Sequence, residues 1–437
     1  MKKIIAMLLA LVMVLGLAAC ATKTEPETTT EPEKTTTEPA PAEETKDEEP
    51  APAEETKEEE TTEEPADNTE YAVAMITDYG DITDQSFNQT TYEACKAFCE
   101  DNGVEFSYFK PAGDNTADRV AMIEKAVDEG YNVIVMPGYA FGGAIVEAAP
   151  EFPDVKFIAL DVAKGDLLEA GVAKAGESYD YNPDNWDLEK YVDMSNVYCA
   201  IYQEELCGYM AGYAAVKLGY KSLGFLGGMA VPAVIRYGYG FVQGVDAAAA
   251  DLGLTDVTVN YVYGGQFFGD ADITAVMDTW YQGGTEVVFA CGGGIYTSAV
   301  DAAKKVGAKV IGVDVDQAGV IAKYAGVDGM TVTSAMKGLY PATYDTLTDV
   351  IVNGNWDKYV GKIATLGLVS GTDPEANYVQ IPMGDGTQWS DSFTQDDYKA
   401  MVKDMFDGKI TVSNDVSKAP SDFATVIAVE DQGAIKG

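Results

Sequence analysis

The stretch YAVAMITDYGDITDQSFNQTTYEACKAFCEDNGVEFSYFK, residues 71–110, holds one full period of the pattern that decides the fold. Residues 71–77 form a short apolar run without clean polar alternation, as expected of a strand covered on both faces. A polar loop follows, and a helical segment from Phe87 to about Asn102 leads to a second strand at 106–109. The alternation continues with helix 116–129, strand 133–136, helix 142–149 and strand 157–160. Strands separated by helices of this length imply right-handed crossovers and a parallel, doubly wound sheet.

A second run of the same kind begins with helix 204–218. It continues through strand 222–226, helix 234–251, strand 258–262, helix 271–282, strand 286–291, helix 298–306 and strand 309–313. Two Rossmann-like halves in tandem, joined near 200–203, predict an α/β protein of two lobes with a hinge and a ligand cleft between them. Strand 330–333, helix 340–353 and the segment from 361 remain. The expected division is residues 71–202 plus about 318–360 in lobe 1, and 203–317 plus about 361–437 in lobe 2.

Outward from this body, the chain opens with Met1-Lys2-Lys3 and an apolar run from Ile4 to Leu17, the layout of an export signal. It ends in Leu17-Ala18-Ala19-Cys20, which resembles a bacterial lipobox, so residues 1–20 read as a lipoprotein signal and Cys20 as the lipidated residue. Residues 21–70 contain roughly 19 acidic and 4 basic residues among Thr, Pro and Ala. Such a segment buries too little apolar surface to offset its ordering entropy and is expected to be a disordered, self-repelling spacer. The whole chain of 437 residues has a formal net charge of -42 and no histidine. That charge argues against nucleic-acid binding, and the missing imidazole weakens any triad or zinc-hydrolase reading. Cys95, Cys99, Cys199, Cys207 and Cys291 are an odd set, read as buried free thiols with a Cys199–Cys207 bridge as the alternative.

In open parallel sheets ligands sit outside the carboxyl ends of the strands. The loops at those ends are 78–88, 137–141, Asp161, 227–236, 264–270, 292–297 and 314–317, rich in Gly, Asp and aromatic residues. They carry DQSFNQ (84–89), GGM (227–229), PAVIR (232–236), FFGD (267–270) after Gly265, and GVDVDQ (312–317), with GYMAGYAA (208–215), YGF (239–241) and Gly244 between and SAMK (334–337) after them. In this order the segments resemble the basic membrane protein family of ABC-importer substrate-binding lipoproteins, whose best-described members are purine nucleoside receptors. The resemblance covers about 71–355. It implies a type I periplasmic-binding-protein fold, a nucleoside as ligand, ABC permease and ATPase subunits as partners, and no enzymatic activity. It further implies a monomer held on the extracytoplasmic face of the cell membrane through Cys20, with no cofactor and no metal.

The resemblance also assigns roles. Phe87 and Phe267 would sandwich the base, with Phe268 as the rival of Phe267 and core packing as the ordinary use of such rings. Asp84 and Asn88 would read the base edge, although Asn88 could instead cap the helix that follows. Asp161 is a further base-side carboxylate, and Tyr139 a wall. Asp314 would accept from the ribose diol and Lys337 donate to it, with Gly292 and Gly293 admitting close backbone approach. Alternatively, Asp314 and Lys337 form a structural ion pair across the hinge, and Asp316 takes the sugar. The first loop has fewer glycines than many relatives, Gln85 stands where a lysine is common in the family, and the 173–193 insert, with Tyr179, Tyr181 and Trp186, could reshape the cleft mouth. A dinucleotide enzyme is disfavoured because no Gly-x-Gly-x-x-Gly follows the first strand. A sugar or autoinducer-like ligand on the same fold remains the alternative.

Overall fold

A computed structural model of the chain describes residues 70–436. The expected signal peptide, the expected lipidation site Cys20 and all of the expected spacer but Glu70 lie outside the described residues. Thirteen strands are present among them: β1 (Ala72–Ile76), β2 (Glu105–Phe109), β3 (Val133–Pro137), β4 (Lys156–Leu160), β5 (Val197–Tyr202), β6 (Ser222–Gly227), β7 (Thr258–Tyr263), β8 (Val287–Cys291), β9 (Lys309–Asp314), β10 (Thr331–Lys337), β11 (Ile363–Leu366), β12 (Val379–Gln380) and β13 (Ala428–Ala434). They form two sheets, ordered β11-β5-β4-β3-β1-β2 and β12-β10-β9-β8-β6-β7-β13. All pairings are parallel except that of β12 with β10. Central strands such as β3 and β8 are buried along their whole length, which is why their sequences do not alternate.

The later part of the chain departs from the expected division. Strand β10 lies beside β9 in the second sheet, with Ser334 opposite Gly312 and Met336 opposite Asp314, so 318–337 does not return to the first lobe. The helix Leu339–Leu347 does return: Leu347, Val350 and Ile351 join Cys95 and Phe98 in one buried cluster. Strand β11 then pairs with β5 in the first sheet, covering an edge that would otherwise be open, whereas the expected boundary put it in the second lobe. From β12 onward the strands again belong to the second sheet. The chain thus crosses between lobes after β5, after β10 and after β11. Helix Lys164–Lys174 and β5 were not foreseen as separate elements.

One helix contact fixes the geometry near the crossings. Helices Glu204–Lys217 and Pro232–Leu252 meet backbone to backbone through two pairs of glycines spaced four apart. A Cβ at Gly208 would lie 2.2 Å from the Tyr237 carbonyl oxygen, and one at Gly212 2.3 Å from that of Phe241. From the other helix, a Cβ at Gly240 would lie 2.0 Å from the Glu205 oxygen and one at Gly244 2.1 Å from that of Tyr209. Each neighbour is main chain, so no side-chain rotation relieves the overlap.

The five thiols are buried and unpaired, so the Cys199–Cys207 bridge is not formed. Burial pushes the Cys99 thiol up to about 12, which keeps it unreactive.

Gly240→Ala is expected to force the two helices apart and to destabilise the protein by roughly 1–3 kcal/mol in urea unfolding. An unchanged midpoint and slope would show that the pair can separate freely.

Candidate ligand-binding site

A cavity of about 480 Å³ opens at the carboxyl ends of the strands of both sheets. Asp84, Phe87, Asn88, Tyr139, Asp161, Phe267, Gly292, Gly293, Asp314 and Lys337 all line it. The ten residues come from seven segments in two lobes, so only the tertiary structure brings them all together.

On the first-lobe wall, Asp84 is consumed by its own loop. One of its oxygens accepts from the backbone N–H of Ser86 and Gln89, and the other from the Asn88 backbone and side-chain amides, at 2.9–3.1 Å. Asp84 therefore braces the start of helix Phe87–Asn102, the capping role considered for Asn88. The Asn88 amide group donates to both Asp84 and Asp78, at 3.0 and 3.1 Å. With those donors committed, this pair is a frame for the loop that presents Phe87.

Below Phe87 lies a buried cluster of charge. The Lys337 ammonium is 2.5 Å from Asp161 Oδ2 and 3.6 Å from both Asp314 Oδ1 and Glu204 Oε1. It also sits 4.7 Å from the centre of the Phe87 ring. Arg236 Nε donates to Glu204 Oε2 at 2.7 Å, and Glu205 is 4.0 Å away. Although burial works against its charge, the carboxylates of Asp161, Asp314 and Glu204 hold Lys337 above the ordinary lysine range. Burial pushes Asp161 up to about 6 even beside this cation. Its Oδ1 is buried without a hydrogen-bond partner among the described residues, leaving one acceptor that a ligand could satisfy.

Asp161 and Asp314 occupy equivalent places, each at the carboxyl end of the fourth strand of its lobe. Both have left-handed backbone, with φ of 60° and 64°, a conformation that Asp tolerates better than most side chains. Asp314 also accepts from Tyr237 OH at 3.2 Å and from Ser86 Oγ at 2.5 Å. The Ser86 contact joins the lobes, as does the 3.2 Å bond from Gln317 Nε2 to the Gln85 carbonyl.

On the opposite wall, Phe267 is half-buried against the second-lobe core, whereas Phe268 is 58% exposed. A Cβ at Gly228 would stand 2.3 Å from the Phe267 ring, and one at Gly292 2.8 Å. These glycines make room for the ring, a use of Gly292 distinct from the expected backbone approach to a sugar.

Sequence reasoning assigned no role to Glu204, Glu205, Arg236 or Tyr237. A signal was available: Arg119 and Arg236 are the only arginines in the chain. Arg236 lines the cavity, while Arg119 is buried behind its wall, bonded to the Asp78 carbonyl at 3.1 Å and paired with Asp114. Residues of the 173–193 insert line no part of the cavity; Tyr179, Tyr181, Trp186 and Tyr191 pack on one another instead.

A family model described as Bmp, ABC transporter substrate-binding protein PnrA-like, matches residues 71–373. The chain belongs to the Bmp family. Members are substrate-binding components of transporters rather than enzymes. The chain is 25% identical over 358 residues to the ABC transporter nucleoside-binding protein BmpA of Lactococcus lactis, covering 79% of this chain and 89% of that one. It is 26% identical over 321 residues to an uncharacterized lipoprotein of Pyrococcus abyssi, covering 70% and 69%. An ABC transporter solute-binding protein from Aeropyrum pernix superimposes with a TM-score of 0.56 at 20% identity, over 81% of this chain and 90% of that one. The two-lobed α/β fold is accordingly that of the ABC solute-binding proteins. No helix among the described residues of this Bmp protein is long and apolar enough to cross a membrane.

Two further carboxyls, the half-buried Asp166 and the buried Glu205, are shifted by their surroundings. Burial raises Asp166 and Glu205 to about 7 each, so near neutrality the folded state holds protons that the unfolded chain releases. Their contribution to stability is present below about pH 4 and declines as pH rises toward about 7. The thermal midpoint is therefore expected to be higher near pH 5 than near pH 8, and Asp166→Asn to flatten that slope. An identical slope in the variant would mean that Asp166 titrates as an ordinary carboxyl.

Proposed function

We propose that the chain is the lipid-anchored, extracytoplasmic receptor of an ABC importer and that its ligand is a nucleoside, purine nucleosides above all. The observation that carries this reading is the arrangement of Lys337 and Asp314 beneath Phe87 in a cavity whose far wall bears Phe267. A nucleoside has one flat apolar part and one vicinal diol. Half-buried phenyl rings suit the first, because stacking depends on the face of the base and little on its substituents. A carboxylate and an ammonium suit the second, because two hydroxyls can donate to one and accept from the other. The unpartnered oxygen of Asp161 supplies a further acceptor for an N–H or O–H donor. Similarity to a protein named for nucleoside binding agrees with this reading.

A ligand touching both lobes would favour the closed arrangement, in which the Ser86–Asp314 and Gln85–Gln317 contacts join them, and closure would distinguish loaded receptors for a permease. The lipid on Cys20 would keep the receptor on the membrane that holds that permease.

Calorimetry against adenosine, guanosine, inosine, cytidine, uridine and free ribose tests the ligand class. Binding is expected for the purine nucleosides, and heat from ribose or another sugar alone would replace this reading with a sugar receptor. Asp314→Asn is expected to weaken nucleosides by roughly 10- to 100-fold and free bases much less. Equal losses for both would remove Asp314 from the ribose. For the anchor, Cys20→Ser should move the protein from the membrane fraction to the soluble one; retention on the membrane would rule out lipidation at Cys20 as the tether.

A further inference from the structure

The family match ends at residue 373, yet the chain beyond it is built into the second lobe. Helix Gln395–Phe406 places Tyr398, Met401 and Val402 in the main core cluster. Strand β13 is different: it extends the sheet beside β7 but is exposed along most of its length, and so adds little to the core. Its consequence lies at its end. A break in register between Asp431 and Ala434 turns the strand, Ile435 N–H donates to the Tyr263 carbonyl at 2.8 Å, and Lys436 arrives at the root of the 264–270 loop. There Gly265 has a φ of 80°, and a Cβ on it would stand 2.7 Å from the Lys436 carbonyl oxygen.

From this position the Lys436 ammonium bonds Asp270 Oδ2 and lies 3.5 Å from Gln266 Oε1 and 3.6 Å from Asp272. Gln266 Nε2 in turn donates to the same Asp270 oxygen at 2.8 Å and to the Phe268 carbonyl at 3.0 Å. The other Asp270 oxygen caps helix Ala271–Gln282 through the N–H groups of Asp272 and Ile273. A ring of polar contacts thus closes around the outer side of the loop. Its inner residue, Phe267, lines the cavity and is tied there by the Gly294 N–H at 2.9 Å.

We propose that Lys436 is a positioning residue for the ligand: by latching Asp270 and Gln266 it holds the loop so that the Phe267 ring stays at stacking position. The inference rests on the nucleoside reading for its ligand and on the loop geometry for its mechanism. A partly exposed ion pair contributes little to global stability, so a latch and a generic structural contact make different predictions. The latch is local to the loop and sensitive to salt.

The test uses the full chain with Lys436→Met and Lys436→Arg, and inosine as the probe. Lys436→Met is expected to speed amide exchange of residues 266–268 in the ligand-free protein and to weaken inosine by about 3- to 10-fold, with the thermal midpoint unchanged. Lys436→Arg should restore both, and the difference between wild type and Lys436→Met should shrink at about 0.5 M salt. Unchanged loop exchange, or a midpoint that falls together with affinity, would overturn the latch. If wild type binds no nucleoside, the functional reading fails, and the ligand-free exchange comparison still decides whether Lys436 holds the loop.

Discussion

An ammonium removed from water costs several kcal/mol unless carboxylates and hydrogen bonds replace its hydration. Lys337 is in that position, and much of the site can be understood as the set of groups that keep it charged. Asp161 approaches it from the first lobe, while Asp314 and Glu204 approach from the second. The same ammonium faces the Phe87, Tyr202 and Tyr237 rings, so the aromatic and ionic halves of the cavity share a single centre. Because its closest partners lie on different lobes, Lys337 also connects the chemistry of the cavity to the relation between the lobes.

Holding a carboxylate as buried as Glu204 beside that centre demands a rigid support. The glycine contact between helices Glu204–Lys217 and Pro232–Leu252 supplies it, since main chain packed on main chain leaves neither helix room to slide. It sets Glu204 against Arg236, and the first-turn position of Glu204 and Glu205 places both acids where helix dipoles favour negative charge. Packing and electrostatics are thus one constraint: without the glycines, the arginine would have no fixed carboxylate to neutralise.

The two walls of the cavity are built by different means. Phe87 begins a helix whose preceding loop is folded around Asp84 and Asn88 and is bonded to the other lobe through Gln85 and Ser86. Phe267 lies on a loop with no regular structure of its own, fitted against Gly228 and Gly292 and bounded outside by contacts from distant parts of the chain.

Much of this was legible from residues alone. The apolar runs at 71–77 and 133–136, without alternation, required strands covered on both faces, and their spacing with helices required parallel sheets. All ten candidate residues line one cavity, because loops at the carboxyl ends of parallel strands converge there. Pairing partners were not legible. Nothing local in 331–337 says that it joins β9 while 363–366 joins β5, because edge choice depends on which neighbour is left uncovered once everything else has packed. The division of labour among Asp84, Asn88, Glu204 and Arg236 was equally hidden: a carboxylate that braces a loop and one left with an unpartnered oxygen are the same residue in a sequence, and only the count of donors around each oxygen, set by the folded backbone, tells them apart.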